Sequence, residues 1–185
     1  VTGSSKGIGR AIAVRYAESG ASVVINARTP GTASEVVEQI RAMGREAHFE
    51  PADLYNYDDV KRMADSAVQR FGHVDILVAS GAAAGPPPQP FHEIDPKLYG
   101  DCISSHLFTR LYAVRAVLDH MMARQSGKII IVTTDAGRTP TRGESLIGGA
   151  AAAVVLMTKA LAMEMARSKI HINTICTTVT KDTPG

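Results

Sequence analysis

The chain has 185 residues, 45% hydrophobic and 21% charged, the composition of a folded globular domain with room for one sizeable core. A formal net charge of +2 with both signs interspersed excludes the concentrated basic surface that nucleic acid or an anionic membrane would recruit. No uninterrupted apolar stretch approaches the roughly 18 residues of a membrane span, and Cys102 and Cys176 show neither metal-ligand spacing nor a disulfide framework, so neither a metal site nor a membrane partner is expected and a reducing cytoplasm is the default location.

In chain order, a glycine-rich segment, Thr2-Gly3-Ser4-Ser5-Lys6-Gly7-Ile8-Gly9, runs into a helical pattern from Gly9 to Ser19. A β-branched run, Ala21 to Ile25, reads as a strand. Helical periodicity follows over Thr32 to Met43 and Tyr57 to Phe71, then an apolar run over His73 to Val78. Next comes an irregular stretch, Ala82 to Pro96, holding Gly85-Pro86-Pro87-Pro88-Gln89-Pro90. A helix over Leu107 to Arg124, a strand over Lys128 to Thr133, an Ala- and Met-rich helix over Glu144 to Arg167 and a strand over Ile170 to Ile175 complete the pattern. Strands that are apolar almost throughout are covered on both faces, as in a parallel sheet. Their alternation with helices predicts an α/β fold, a doubly wound parallel sheet with right-handed crossovers, and one domain over residues 1–185.

The opening segment has the chemistry of a phosphate loop. Glycines let the backbone approach a pyrophosphate closely, and a helix N-terminus adds unpaired N–H groups and a positive dipole end. Gly3, Ser5, Lys6, Gly7, Ile8 and Gly9 are the candidate contacts. A structural tight turn is the competing explanation, but the following helix and strand favour a nucleotide.

At these residues the chain resembles the short-chain dehydrogenase/reductase family, whose signature is Thr-Gly, three residues, Gly-x-Gly. Later landmarks fall in the family's order: Asp53-Leu54 at the end of its third strand, Asp75-Ile76-Leu77-Val78, Met121-Met122, Gly127-Lys128-Ile129 and Thr158-Lys159-Ala160-Leu161-Ala162. Within the family it looks most like the 3-oxoacyl-(acyl carrier protein) reductases. The resemblance implies a single Rossmann-type domain, with Asp53 and Leu54 at the adenine. It also implies a fold cut at both ends, because only Val1 and Thr2 precede Gly3 and family members continue beyond Gly185. The family's NAD-dependent members usually carry an acid at the position of Ala27. Here the acid is absent, Arg28 follows and Lys6 lies in the loop, which favours NADP(H) over NAD(H), since a guanidinium grips a 2′-phosphate that a carboxylate would repel. Ordinary solvated cations are the alternative.

The resemblance also implies a catalytic Tyr, a Lys four residues later, a Ser and an Asn. Registering on the landmarks places the Tyr slot at Ile147, the Lys slot at Ala151, the Ser slot at Thr134 and the Asn slot at His106. The departures cluster on the nicotinamide half. Tyr57-Asp58-Asp59-Val60-Lys61 has the Tyr–Lys spacing but lies on the adenine side, so it is read as coincidence. Thr134, His106, Asp135 and Glu144 are the candidate replacements: His titrates near neutrality and a shielded Glu can be raised into range. Asp135 and Glu144 can equally cap helices or pair with Arg138 and Arg142.

Three functions follow. One is an NADP(H)-dependent oxidoreductase on a carbonyl, alcohol or acyl thioester, with an atypical site. A second is a catalytically silent NADP(H)-binding sensor, or partner subunit of an active homologue. A third is a non-redox acid–base enzyme, a hydratase or lyase. The small-residue run Gly148 to Ala153 suits a tight contact or a wider pocket floor, and the resemblance implies a homo-oligomer through that helix.

Overall fold

Each short apolar run expected to be a strand forms one, and all the pairings are parallel. The computed structural model describes residues 1–81, 86–178 and 180. Strand β1 (Val23–Ala27) pairs with β2 (Ala47–Pro51), and β3 (Ile76–Ala79) with β4 (Gly127–Thr134), which pairs in turn with β5 (Ile170–Thr177). Helices α1 (Gly7–Glu18), α2 (Gly31–Ala42), α3 (Tyr57–Phe71), α4 (Tyr99–Ile103), α5 (Thr109–Arg124) and α6 (Ser145–Met165) lie between them. The result is the expected α/β, Rossmann-type single domain.

Local chemistry fixes the element ends. Asn56 caps α3 by accepting from the amides of Asp58 and Asp59, and Gly72 closes it in the left-handed conformation (φ +80°), which costs a residue without Cβ little. The strand expected from His73 begins only at Ile76, with the Asp75 carbonyl already accepting from the Lys128 amide of the neighbouring strand (2.9 Å). β1 begins at Val23 rather than Ala21, since the amides of Gly20 and Ala21 donate back to the carbonyls of Ala17 and Tyr16. The stretch read as irregular contains two 3-10 turns, Phe91–Glu93 and Pro96–Leu98, the second capped by Asp95. Ala82 and Gly85 lie outside the described residues. The helix expected from Leu107 starts at Tyr99 instead, as α4, a π turn (Ser104–Phe108) and α5 in unbroken succession.

Two apolar cores flank the strands. One gathers Ala13, Ile25, Val36 and Ile40 around β1; the other gathers Val60, Val114, Ile129 and Val154 around β3, β4 and β5. The β1–β2 and β3–β4–β5 sheets meet only through the first residues among those described. The Val1 amine donates to Val24 O (3.1 Å), while the Thr2 amide donates to Val78 O (2.9 Å) in a parallel bridge to Ala79. Beyond these two residues, a cavity of about 620 Å³ runs between Val23–Val24 and Ile76–Val78 over Ala64 and Ala113.

Helix α6 modifies one expectation. With its 3-10 extension to Ser168 it is long and apolar enough to cross a membrane by length and composition, at hydropathy 1.9. Its stripe of Gly148, Ala151, Val154 and Thr158 is buried, as in the core helix of a globular domain. Its outer face exposes Leu156 and Met163.

Candidate active site

The glycine loop is built by close backbone approach. Thr2 Oγ1 accepts from the amides of Ser80 and Gly81 (both 3.1 Å), pinning the loop to the end of β3. A Cβ on Gly3, whose φ is +62°, would collide with Gly81 Cα, and one on Gly9 would collide with the Gly3 carbonyl. Asn26, 1% exposed at the end of β1, holds the other side. Its Oδ1 accepts from the Gly3 amide (3.0 Å), and its Nδ2 donates to the carbonyls of Glu50 (3.4 Å) and Ala52 (3.3 Å). Its own amide donates to Ser4 Oγ (2.9 Å). Sequence reading passed over Asn26; a carboxamide inside an otherwise apolar strand was the available signal.

Lys6 occupies the N-cap of α1 with no side-chain cap, and no acid lies in the first turn. The amides of Gly7, Ile8 and Gly9 therefore lack helical partners and point out of a helix end with positive potential. That arrangement fits a pyrophosphate. Lys6 is exposed, and Ser5 and Ile8 are half-buried. Arg28 is exposed one residue beyond β1, and Ala27 leaves no carboxylate beside it. Asp53 lies two residues past β2, its Oδ1 accepting from the Tyr55 amide (3.0 Å), and Leu54 packs against Gly81. Tyr55 is a second residue the sequence did not single out. Its hydroxyl reaches Ser105 in the field of Asp101, Asp53 and Arg28, and burial chiefly pushes its pKa above the usual tyrosine value. It links the Asp53–Arg28 side to the π turn.

On the opposite half, Thr134 ends β4 half-buried, and its Oγ1 accepts from the Ala136 amide (3.3 Å) at the start of a 3-10 turn, Asp135–Gly137. That turn packs directly on the start of α6. A Cβ on Gly137 would lie 2.8 Å from Ala151 Cβ, and one on Gly148 would lie 2.7 Å from Ala136 O. The small residues thus serve a tight intramolecular contact at Gly148 and Ala151, whereas Gly149 faces open space. Ile147 is half-buried and Ala151 wholly buried, so a lysine in the slot that the resemblance gives to one would have to bury its stem. Glu144 occupies the N-cap position of α6 without capping it, and neither Asp135–Arg138 nor Glu144–Arg142 forms an ion pair among the described residues. The Tyr57–Lys61 segment starts α3, where Tyr57 stacks edge-on against Tyr112 of α5 (5.7 Å) and Lys61 pairs with Asp65. It is structural.

His106 corrects an expectation. Sitting in the π turn, it is pushed down to a pKa of about 4, by burial first and the Arg110 charge second. It is neutral at pH 7 and does not titrate near neutrality. A π turn leaves carbonyls without their usual helical partners, and here Arg110, 5% exposed, takes them. Its Nη1 donates to Ser105 O (3.1 Å) and His106 O (3.0 Å), and its Nε donates to Val132 O (2.8 Å). Burial lowers its pKa to about 10. Neighbouring Thr109 donates to Ser105 O (2.9 Å), with Gly81 O 3.4 Å from the same hydroxyl, so π turn, β3 end and β4 end converge. In a doubly wound sheet, the carboxyl ends of strands form the ligand crevice. No hydrogen bond joins Thr134, His106, Asp135 and Glu144 to one another among the described residues, so no preformed relay exists there.

The short chain dehydrogenase family model matches residues 1–185. The 3-oxoacyl-[acyl-carrier-protein] reductase of Staphylococcus epidermidis is 32% identical over 176 residues, covering 95% of this chain and 71% of that protein. Cis-4-hydroxycyclohexanecarboxylate dehydrogenase of Sinomonas cyclohexanicum is 34% identical over 175 residues, covering 95% and 70%. A crystal structure of a metagenomic short-chain oxidoreductase in complex with NADP superposes with a TM-score of 0.88 at 27% identity, covering 97% of this chain and 80% of that one. With glycine loop, parallel sheet and whole-chain match in agreement, the chain belongs to the short-chain dehydrogenase family.

Proposed function

We propose that this chain is an NADP(H)-dependent oxidoreductase of a carbonyl–alcohol pair, working with an atypical catalytic site. The observation that carries the reading is the uncapped, acid-free start of α1 beside Lys6, with Arg28 following Ala27 where an acid would select NAD(H). Loop amides of Gly7, Ile8 and Gly9 would take the pyrophosphate, Lys6 and Arg28 the 2′-phosphate, and Asp53 and Leu54 the adenine. The nicotinamide supplies the redox chemistry when bound. Thr134 would orient the substrate oxygen by its hydroxyl, and neutral His106 would donate or accept a hydrogen bond without acting as a strong acid. Asp135 and Glu144 border this half of the site as further candidates. A fluorescence titration with NADPH and NADH tests the reading: selective NADPH binding supports it, and binding of neither overturns it.

A second reading, a catalytically silent NADP(H)-binding subunit, is favoured by the packing of α6 onto the 3-10 turn, which fills the Tyr–Lys positions with apolar side chains. Leu156 and Met163, 70% and 80% exposed on α6, support an oligomer, either of this chain or with an active homologue. Both cysteines are free, which suits the reducing cytoplasm of either reading.

A further inference from the structure

We propose that Arg110 is the recognition group for an anionic substrate, a small oxo acid or hydroxy acid whose carboxylate is held by the guanidinium Nη2. The proposal deepens the oxidoreductase reading and rests on it for the identity of the site. Three of the five N–H bonds of this guanidinium are committed to Val132 O, Ser105 O and His106 O. Nη2 has no protein acceptor among the described residues. It is also not sealed: among the described residues, the fully buried side-chain polar atoms left without partners are His120 Nε2 and Thr133 Oγ1. The 5% of Arg110 that stays exposed therefore includes a nitrogen carrying two unused donors.

Charge decides the ligand class. No carboxylate among the described residues pairs with Arg110, so a nearly buried cation is balanced only by three carbonyl dipoles. Buried charges ordinarily carry a counter-charge. The negative phosphates of a dinucleotide would lie at the start of α1 with Lys6, on the other half of the crevice, so the missing anion belongs to the substrate. A guanidinium keeps its charge across the physiological range and matches carboxylate geometry. Its anchorage on the π turn and on β4, two residues from Thr134, would set the acid end of the substrate at a fixed distance from the Thr134 hydroxyl.

The test uses a matched pair of probes, acetoacetate and its neutral amide, acetoacetamide, titrated calorimetrically into the wild-type chain alone and with saturating NADP⁺, which cannot reduce either. Acetoacetate is expected to bind at least about tenfold more tightly than the amide. The Arg110→Gln variant should lose that preference while binding NADPH unchanged, and Arg110→Lys should keep part of it. Equal affinity for the two probes, including no binding of either, or an undiminished preference in Arg110→Gln, would overturn the proposal and leave Arg110 as a clamp on the π turn. If Arg110→Gln does not fold, the wild-type probe pair decides alone. Carboxylate preference in a chain that binds no NADPH would sink the oxidoreductase reading while supporting the anion site. NADPH binding without the preference would do the reverse.

Discussion

The Gly3 amide donates to the side-chain oxygen of Asn26 across 3.0 Å, and the same carboxamide donates to the carbonyls of Glu50 and Ala52. One side chain on β1 thereby ties the glycine loop to the end of β2, so the shape of the loop depends on a residue that touches no phosphate.

Replacing Asn26 by Ala should therefore act on binding and on stability together. It removes the side-chain acceptor of the Gly3 amide and the side-chain donor to the Ala52 carbonyl, at a cost of about 2–3 kcal/mol. For a chain of this size, that lowers the melting temperature by roughly 5–10 °C. NADPH affinity should fall at least about tenfold, because the loop loses its fixed position. A variant that melts normally and binds normally would show that Thr2 and the α1 packing hold the loop unaided.

Cofactor choice is testable at the end of β1. Arg28→Glu places a carboxylate where the 2′-phosphate would lie, removing one charge-assisted contact and adding a repulsion. On an exposed site this should weaken NADPH by roughly 10- to 100-fold while leaving NADH within about threefold. Equal losses for both dinucleotides would show that Arg28 contributes fold rather than selectivity, and an unchanged NADPH affinity would make it a solvated cation.

His106 gives a pH signature. Its pKa is about 4 in the folded chain and 6.5 as the ordinary value, so between these limits the unfolded chain binds more protons. The associated stability is fully present above pH 6.5, falls as the pH drops toward 4, and changes no further below that. Allowing for partial solvent access, the loss is about 2–3 kcal/mol. His106→Gln should flatten the melting temperature between pH 6.5 and 4 relative to wild type. Parallel curves for the two proteins would mean that the imidazole can be protonated without strain.

Much of the scaffold was legible because its determinants are local. Glycines before a helix, β-branched runs four to six residues long and helical periodicity each act within a few residues, so the loop, β1, β3, β4, β5 and α3 could be read from the sequence, whereas β2 (Ala47–Pro51), with its His, Glu and Pro, could not. The shift at Ala21 came from a turn that consumed residues able to extend a strand. Arg110 and Tyr55 were not legible, and Asn26 showed only as a carboxamide in an apolar strand, because their roles depend on partners far along the chain. Val132 lies 22 residues from Arg110 and Gly3 lies 23 from Asn26. Nothing in a lone Arg on a helix announces that a π turn has released the carbonyls it will take. The family register assigned the Tyr and Lys slots to Ile147 and Ala151, but gave no sign that the helix packs onto Gly137.

That closure separates a lost side chain from a rebuilt site. If only the side chains had been lost, Ile147→Tyr with Ala151→Lys would restore a Tyr–Lys pair. Ile147 is half-buried, and a Tyr there should cost less than about 1 kcal/mol. Ala151 is wholly buried, with Gly137 so close that even a Cβ on that glycine would lie 2.8 Å from it. A Lys there must bury its stem and charge in filled space, at about 3 kcal/mol or more, which lowers the melting temperature by roughly 10 °C. The single Tyr variant should thus melt like wild type, the Lys variant and the double variant should melt lower, and neither should gain NADPH-dependent carbonyl reduction. A double variant that melts normally and reduces carbonyls at least about 10²-fold faster would mean that α6 and the 3-10 turn part readily. The slots that the resemblance gives to a Tyr and a Lys would then differ from the family by two side chains rather than by a helix packed into their place.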